Sequence, residues 1–456
     1  MILASTAESP GSSKERNGWK HMDDVVLSTT DVWTMVCAAL VLLMTPGVAF
    51  FYGGMTRAKS VLNMMMMVFS SIAVAGVVWV LWGSSMSDMT TSLQVTGNPF
   101  ADLGLTSYTG DPEALPGLIG VGFGATFAII TVALIAGAIA DRAKFSGWLV
   151  FITLWVTFSY CTLDYMVWGG GLLSADGFIG QTFGEAIDYA GGTVVHINAG
   201  IAALVLALII GKRKGFGKDP AQRPHNIPFV MLGAAILWFG WFGFNGGAAT
   251  DPGEAGLIWV NTLAAPAAAF LGWIITEWIR DGKPTSLGGA SGIVAGLVGI
   301  TPACASVSPI GAIVIGILCG VGSALAVGLK FKFGYDDSLD VVGVHLVSGL
   351  IGTVLIGFLA TEGGLFYGGG VGQLVAQVVA AIFAIVWAGV ITFVLGILVH
   401  KTIGLRVKED DEVTGIDLTE HAETGYEFGG LGTGGTFRPH PSSPAAHRPI
   451  PESETV

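Results

Sequence analysis

The amino-acid sequence predicts an all-α polytopic membrane protein with eleven transmembrane helices. These are expected to form a 5+5 inverted repeat, with the amino terminus outside and the carboxyl terminus inside. Three observations predict this fold: few charged residues, eleven long apolar segments, and a one-sided distribution of Lys and Arg. Of 456 residues, 52% are hydrophobic and 12% are charged, whereas soluble domains carry about 25% charged residues. Half the usual charge indicates a chain that lies mostly in lipid.

Eleven apolar segments are long enough to cross the hydrocarbon core as helices, which takes about 20 residues. They occupy residues 31–53, 61–83, 119–140, 146–171, 191–211, 228–248, 256–279, 286–302, 309–330, 341–361 and 373–400. The stretch 286–330 is divided in two because a single helix of that length would be far too long for the membrane. Pro302 and Pro309 bracket the turn that divides it.

The Lys and Arg residues predict the orientation, because cytoplasmic connections of membrane proteins are enriched in both. With the amino terminus outside, the inner connections hold Arg57, Lys59, Arg142, Lys144, Lys212, Arg213, Lys214, Lys218, Arg223, Arg280, Lys283, Lys330 and Lys332. The outer connections hold neither residue type. The basic run at 212–218 is therefore interpreted as a cytoplasmic loop rather than as a nucleic-acid site, and no nucleic-acid partner is expected.

Both ends of the chain are polar. Residues 1–30 lack the apolar core of a secretory signal and are predicted to be a disordered extracellular extension. Residues 429–456 are rich in Gly, Pro and Ser, a composition typical of disorder. Residues 31–400 are predicted to form the transmembrane domain, with repeats at about 31–211 and 228–361 and a last helix at 373–400.

Two short segments indicate the repeat. V-V-H-I-N-A-G at 194–200 and G-V-H-L-V-S-G at 343–349 each have Val before a His and Gly four residues after it. Asp188 and Asp337 each precede the His by eight residues. The copies lie in the fifth and tenth segments, and this odd offset makes them run in opposite directions. Inverted repeats typically hold a binding site near the membrane midplane, between the two halves.

His196 and His345 are the two histidines inside the apolar segments, where an ionisable side chain is costly and usually faces a pathway or the protein interior. A neutral core histidine bonded to a helix carbonyl is one alternative. A metal site is another, but it needs three or more ligands, and the segments contain no HxxxH or HExxH pattern. Neither a metal nor a cofactor is expected. The favoured interpretation is a pair of neutral imidazoles that line a narrow path for a small polar solute.

Aromatic residues gather at the predicted outer ends of the segments. Phe123 and Phe127 share a helix face at a spacing of four residues, and Trp168 and Phe244 end the fourth and sixth segments. Interfacial aromatics often serve only as membrane anchors. Together these four can form a cup that binds a cation through the ring faces.

Six segments together resemble the ammonium transporter family, which includes the methylammonium permeases and the Rhesus proteins. They are T-P-G-V-A-F-F-Y-G-G-M (45–55), M-V-W-G-G-G-L-L (166–173), D-Y-A-G-G-T-V-V-H-I-N-A-G (188–200), W-F-G-F-N-G-G (241–247), G-I-T-P-A-C (299–304) and D-V-V-G-V-H (340–345). The resemblance covers about residues 31–428. It implies a bacterial transporter of ammonium or ammonia in the plasma membrane, not an enzyme, which assembles as a homotrimer with one pore in each protomer.

The resemblance also implies roles along the pore. At the outer end, Trp168 and Phe123 resemble the aromatics that recruit the cation. Phe127 and Phe244 below them resemble a stacked gate. His196 and His345, further inside, resemble the twin pore histidines. Asp188 resembles the structural or proton-handling carboxylate near the recruitment site. Ammonium is expected to lose its proton as it loses water, so that ammonia passes the histidines, with or without transfer of the proton.

One family position differs in this sequence. A Ser commonly accepts a hydrogen bond from ammonium where this chain has Ala248. Asp164 precedes Trp168 by four residues, so a helix places both on one face. We expect the Asp164 carboxylate to compensate for the missing hydroxyl.

Residues 401–428 resemble the family's structured cytoplasmic tail, which packs on the inner loops. In bacterial members this tail works with a PII-type signal protein, so such a partner is expected here. An alternative function is a membrane sensor of ammonium, a transceptor that binds the cation with little flux. An appended signalling domain would favour the sensor, and residues 429–456 are not expected to form one.

Overall fold

Eleven helices long and apolar enough to cross a membrane make up most of the computed structural model, which describes residues 27–88, 93–218 and 223–426. These spans are Thr29–Met55, Val61–Asp88, Leu115–Ile139, Phe145–Val167, Gly192–Ile210, Ile227–Gly246, Pro252–Asp281, Ser286–Ala303, Pro309–Phe333, Val342–Leu359 and Gly372–Thr402. Shorter helices include Thr106–Gly110, Phe178–Phe183, Glu409–Thr414 and Ile416–His421. The eleven predicted spans are confirmed, including the division of 286–330.

Some helices begin or end a few residues away from the ends of the apolar segments, because polar side chains outside those segments cap them. The first span begins at Thr29 because Ser28 and Asp31 form a capping box, in which each side chain accepts a hydrogen bond from the other's backbone N–H. The predicted amino-terminal extension therefore ends before residue 30. Residues 1–26 and 427–456, which include most of that extension and all of the predicted disordered tail, lie outside the described residues.

The fifth and tenth spans begin in the same way. Each starts with a π-helical turn, Gly192–Ile197 or Val342–Leu346, and each turn contains one of the two histidines. The carboxylate of Asp188 accepts hydrogen bonds from the backbone N–H groups of residues 191 to 194 and from the Thr193 hydroxyl. The carboxylate of Asp337 accepts from the N–H groups of residues 341 and 342 at 3.1 and 2.7 Å. The aspartates eight residues before the histidines therefore cap the two turns.

Two glycines bring these spans into close contact. A Cβ on Gly200 would lie 2.6 Å from the backbone N of Leu346, which follows His345. A Cβ on Gly349 would lie 3.2 Å from the Cβ of His196. Each glycine thus packs against the histidine turn of the other span. This reciprocal contact is the arrangement that an inverted repeat requires.

The end of the bundle that holds Arg57, Arg142 and Arg213, called here the basic end, is tied together by buried charges. Arg142 is fully buried and donates hydrogen bonds to the carbonyls of residues 138, 140, 211 and 336 and to the Ser338 hydroxyl. The Arg213 guanidinium pairs with Asp336 at 2.9 Å and with Asp141 at 3.2 Å. Three separate connections are thereby fixed to one another.

The segment after the eleventh span packs against the basic end and caps two other spans. The amino termini of the second and fourth spans have no cap from their own flanking side chains, Ser60 and Lys144. Instead, Asp417 accepts hydrogen bonds from the N–H groups of residues 62 and 63 at 3.0 and 2.8 Å. Glu420 accepts one from the N–H of Phe145 at 2.9 Å. Two tail carboxylates thus satisfy helix N–H groups that otherwise have no intrahelical partner.

Replacing the Asp417 cap is expected to release the tail locally. Asp417→Ala removes an interaction worth about 1–2 kcal/mol, which increases the open fraction of the tail roughly 5- to 30-fold. Limited proteolysis of the purified protein, with cleavage mapped between residues 401 and 426, measures this change. Asp410→Ala, which removes an exposed carboxylate from the same tail, serves as the control. Equal cleavage of the two variants would contradict the capping role.

Replacing Asp188 is expected to destabilise the whole transmembrane domain. Asp188→Ala leaves the four N–H groups of its turn without their acceptor, and each such buried group costs about 1–3 kcal/mol. The unfolding temperature of the detergent-solubilised protein should therefore drop well below that of Asp176→Ala, which removes an exposed carboxylate from the same connection. The same unfolding temperature in both variants would show that the turn does not need the carboxylate.

Candidate pore

Four aromatic side chains gather at the end of the bundle opposite the basic end, called here the aromatic end. The rings of Phe123 and Phe127 lie 4.9 Å apart at 70° on one face of the third span. The ring centroids of Trp168 and Phe127 lie 6.0 Å apart, and the ring planes are at 86°, which is an edge-to-face contact. Phe244 of the sixth span stacks on Phe127 at 4.3 Å and 13°. The structure therefore brings together the four aromatic residues that the sequence indicated.

Exposure falls steeply along this line of rings. Trp168 is 39% exposed, Phe127 is 5% exposed and Phe244 is 1% exposed. The Phe127 and Phe244 rings are stacked in contact, so no space for a solute lies between them in this conformation. The stacked and buried Phe127–Phe244 pair thus lies directly behind the partly exposed Trp168.

The two histidines lie below the phenylalanine pair and contact each other. The ring centroid of His196 lies 6.2 Å from that of Phe244, and the Nδ1 atoms of His196 and His345 are 3.4 Å apart. Both side chains are buried. When both rings are neutral, one Nδ1 carries a hydrogen and the other accepts it. The predicted pairing of the repeat-related histidines is thus present in the structure.

Trp241 holds the His196 ring in place, a role that the sequence analysis missed. The two rings stack at 5.6 Å and 19°. The Trp241 indole N–H donates to the Thr301 hydroxyl at 2.8 Å, and that hydroxyl donates to the Leu297 carbonyl at 2.7 Å. Trp241 precedes Phe244 by three residues, a spacing that places both on one helix face. That spacing was the available signal.

A small cavity adjoins the histidine pair. It offers about 10 Å³ to the centre of a water-sized molecule, which is about the room that one such molecule requires. Its walls are His196, His345 and a largely apolar set: Met44, Val48, Phe51, Tyr52, Ile130, Leu134, Leu237, Trp241, Phe244 and Val294. Within the described part of the chain, Nε2 of His196 has no hydrogen-bond partner. A neutral solute that donates or accepts one hydrogen bond fits these walls, and a hydrated ion does not.

Asp188 connects the aromatic entrance to the histidine turn. Its backbone carbonyl accepts the indole N–H of Trp168 at 2.7 Å, while its carboxylate accepts the N–H groups of the turn that contains His196. The side chain therefore points into the backbone of the turn. Its position supports a structural role in aligning Trp168 with His196.

Asp164 and Ala248 both lie near the entrance. Ala248 is exposed and follows Gly247, where a Cβ would lie 2.4 Å from the Phe123 ring. The Asp164 side chain is buried, near Ser87 at the end of the second span. The structure thus places Gly247, the residue before Ala248, against the Phe123 ring and shows no hydrogen bond of the Asp164 carboxylate with this region. Compensation by Asp164 stays a prediction.

Metal ligation has no candidate among the described residues, where no three His, Cys, Asp or Glu side chains form a group that could hold an ion. His196 and His345 are thus not part of such a group among those residues. The chemistry available along this line of residues is hydrogen bonding and cation binding by aromatic rings.

Comparison with known proteins agrees with this geometry. The sequence matches the profile of the Ammonium Transporter Family over residues 32–426. It is 52% identical over 435 residues to the ammonium transporter of Mycobacterium bovis, covering 87% of this chain and 90% of that protein. Similar solved structures include a chain titled sensor Amt protein, with a TM-score of 0.78, 26% identity, and coverage of 86% of this chain and 98% of that chain. Mep2 of Candida albicans has a TM-score of 0.74, 30% identity, and coverage of 84% and 87%.

The family and the curated relative are ammonium transporters rather than enzymes. The matched region contains all eleven spans apart from a few residues at the first helix end. The resemblance that the six sequence segments indicated is therefore confirmed. This chain is a multi-pass membrane protein and a member of the ammonium transporter family.

Proposed function

We propose that this protein recruits ammonium at the aromatic end, removes its water and one proton at the Phe127–Phe244 pair, and passes ammonia along His196 and His345. The observation that carries the proposal is the contact between the two imidazoles beside a cavity that has room for one small molecule. The ammonium transporter relatives name the substrate class. We further infer that the aromatic end faces outward, because the basic connections lie at the other end.

Recruitment rests on the ring faces of Trp168 and Phe123. A cation over an aromatic ring gains about 0.5–2 kcal/mol, and it gains more as water is withdrawn. Trp168 is held by its bond to Asp188 and is still 39% exposed. The site thus binds a cation while part of its hydration shell remains.

Removal of the proton follows from dehydration. The space beneath the phenylalanine pair is apolar apart from the imidazoles, and transfer of an ion into such a space without partners is very unfavourable. Loss of water disfavours the charged form of ammonium relative to ammonia and a proton. Ammonia can still donate and accept hydrogen bonds. A neutral imidazole has one nitrogen that accepts and one that donates, so it can bond to ammonia in either way.

The histidine pair also offers a route for the released proton. Because the two Nδ1 atoms share one hydrogen, a proton accepted at one ring can be released from the other after the shared hydrogen shifts. We infer that the proton follows the ammonia by this route and that transport therefore carries net charge.

Loss of His196 is expected to abolish this charge transfer. Purified protein in liposomes on a solid-supported membrane should give a transient current after an ammonium jump, and His196→Ala should lose at least about 90% of it, an effect near 1.4 kcal/mol in the barrier. Thr361→Ala, a substitution on an exposed residue outside the pore, is the control. Ammonia-driven pH equilibration without any current in the unmodified protein would instead indicate a neutral gas channel.

Restoring the hydroxyl at position 248 is expected to tighten recruitment. Ala248→Ser adds an acceptor beside Phe123, and a hydrogen bond to a charged group contributes about 1.5–3 kcal/mol. The ammonium concentration at half-maximal current should fall about tenfold or more. If Asp164 compensates for the missing hydroxyl, Asp164→Asn should raise that concentration. An unchanged value in Asp164→Asn would end the compensation hypothesis, and an unchanged value in Ala248→Ser would place Ala248 outside the recruitment site.

A membrane sensor of ammonium is the second candidate function, favoured by the similarity to a chain titled sensor Amt protein. It shares the recruitment site with the transporter but needs no flux past the histidines. Cation binding without current or pH equilibration in liposomes would indicate a sensor.

We also propose, from the family resemblance, that the protein assembles as a homotrimer and that a PII-type signal protein docks at the basic end. The open cavity there has a volume of about 1030 Å³ and includes Arg57, Arg213, Arg223 and Asp340 in its walls. This cavity lies at the end where ammonia leaves the pore in our proposal.

A further inference from the structure

A second cavity lies behind Trp168 at the aromatic end. It has a volume of about 470 Å³ and opens to the surface. Its walls include Val167, Trp168, Glu185, Ile187 and Gln373. Phe123, Phe127 and Phe244 do not line it. Trp168 is therefore the one ring that this cavity shares with the four aromatic side chains of the candidate pore.

The walls of this cavity are held in place by the eleventh span. The buried side-chain amide of Gln377 donates to the Ile187 carbonyl and accepts from the Ile187 N–H, both at 2.8 Å. The amide of Gln373 donates to the Glu185 carbonyl at 3.3 Å. Trp168 is fixed by its bond to the Asp188 carbonyl. The cavity is thus formed by anchored segments.

Glu185 gives the cavity its charge. The other acidic wall residue, Asp188, has its carboxylate occupied by backbone N–H groups. Glu185 is exposed, and no Lys or Arg within the described residues pairs with it. Val167, Ala186 and Ile187 add apolar surface beside it. A carboxylate, an indole face and aliphatic walls are the features that bind alkylated ammonium ions.

We propose that this cavity is a binding site for substituted ammonium cations, with the charged head between Glu185 and Trp168 and the alkyl groups against Val167, Ala186 and Ile187. The cavity is far larger than the space beside the histidines. A quaternary cation has no proton to give up, so it cannot follow the proposed ammonia route and stays at this site. Its positive charge beside Trp168 opposes recruitment of ammonium, so occupancy inhibits transport. The site itself does not depend on the transport proposal.

Tetramethylammonium chloride tests the site by isothermal titration calorimetry on the full-length protein in detergent at constant ionic strength. We expect saturable binding to the unmodified protein and binding weakened about tenfold or more in Glu185→Gln, because a direct charge interaction is lost. Glu362→Gln removes an exposed carboxylate outside the cavity and should bind as the unmodified protein does. Size-exclusion chromatography of each variant confirms that it is folded.

Three results would overturn the site. These are no saturable binding, equal binding by Glu185→Gln and the unmodified protein, or an equal response to sodium chloride. Phe123→Ala separates the cavity from the recruitment site: it should keep its affinity for tetramethylammonium, and loss of that affinity would assign the probe to the recruitment aromatics. Binding of tetramethylammonium by a protein that gives neither ammonium current nor pH equilibration would keep this site while contradicting the transport proposal.

Discussion

The hydrogen bonds that four backbone N–H groups donate to the carboxylate of Asp188 hold together the candidate pore. A helix that begins inside a membrane protein exposes N–H groups that lipid cannot satisfy. Asp188 satisfies them and so permits the π-helical turn that carries His196 into the interior. The same residue fixes Trp168 through its carbonyl. The distance from Trp168 to the histidines therefore depends on this one residue, through its carbonyl and its carboxylate.

The second half of the protein meets the same constraint with Asp337, and the basic end meets it with the tail carboxylates. Arg142 does the converse there and donates to backbone carbonyls. Asp337 is fully buried, and this burial raises the pKa of its carboxyl to about 6. Its carboxylate accepts hydrogen bonds from two N–H groups of its turn, whereas that of Asp188 accepts from four. The two halves thus share a backbone geometry but differ in how strongly their histidine turns are capped. The repeat is therefore similar in backbone geometry and different in the number of hydrogen bonds that each aspartate accepts.

The sequence predicts the spans and the division at Pro309 because hydropathy indicates them directly. It predicts the pairing of His196 with His345 because a short sequence motif is repeated around both. Trp241 was missed, although its spacing from Phe244 signals a shared face. The caps from Asp417 could not be predicted, since residues 355 positions apart share no local pattern. Helical spacing placed Asp164 on the face of Trp168, whereas its position near Ser87 depends on how two spans pack.

The tail carboxylates also bear on how the protein is made. The second and fourth spans enter the membrane when most of the chain is still unsynthesised, whereas Asp417 and Glu420 leave the ribosome near the end. Until then the N–H groups of residues 62, 63 and 145 bond only to water. Docking of the tail therefore comes after synthesis of every span, and it requires that the starts of both early spans lie where the tail can bond to them. A chain truncated before residue 417 would be inserted but left unfinished.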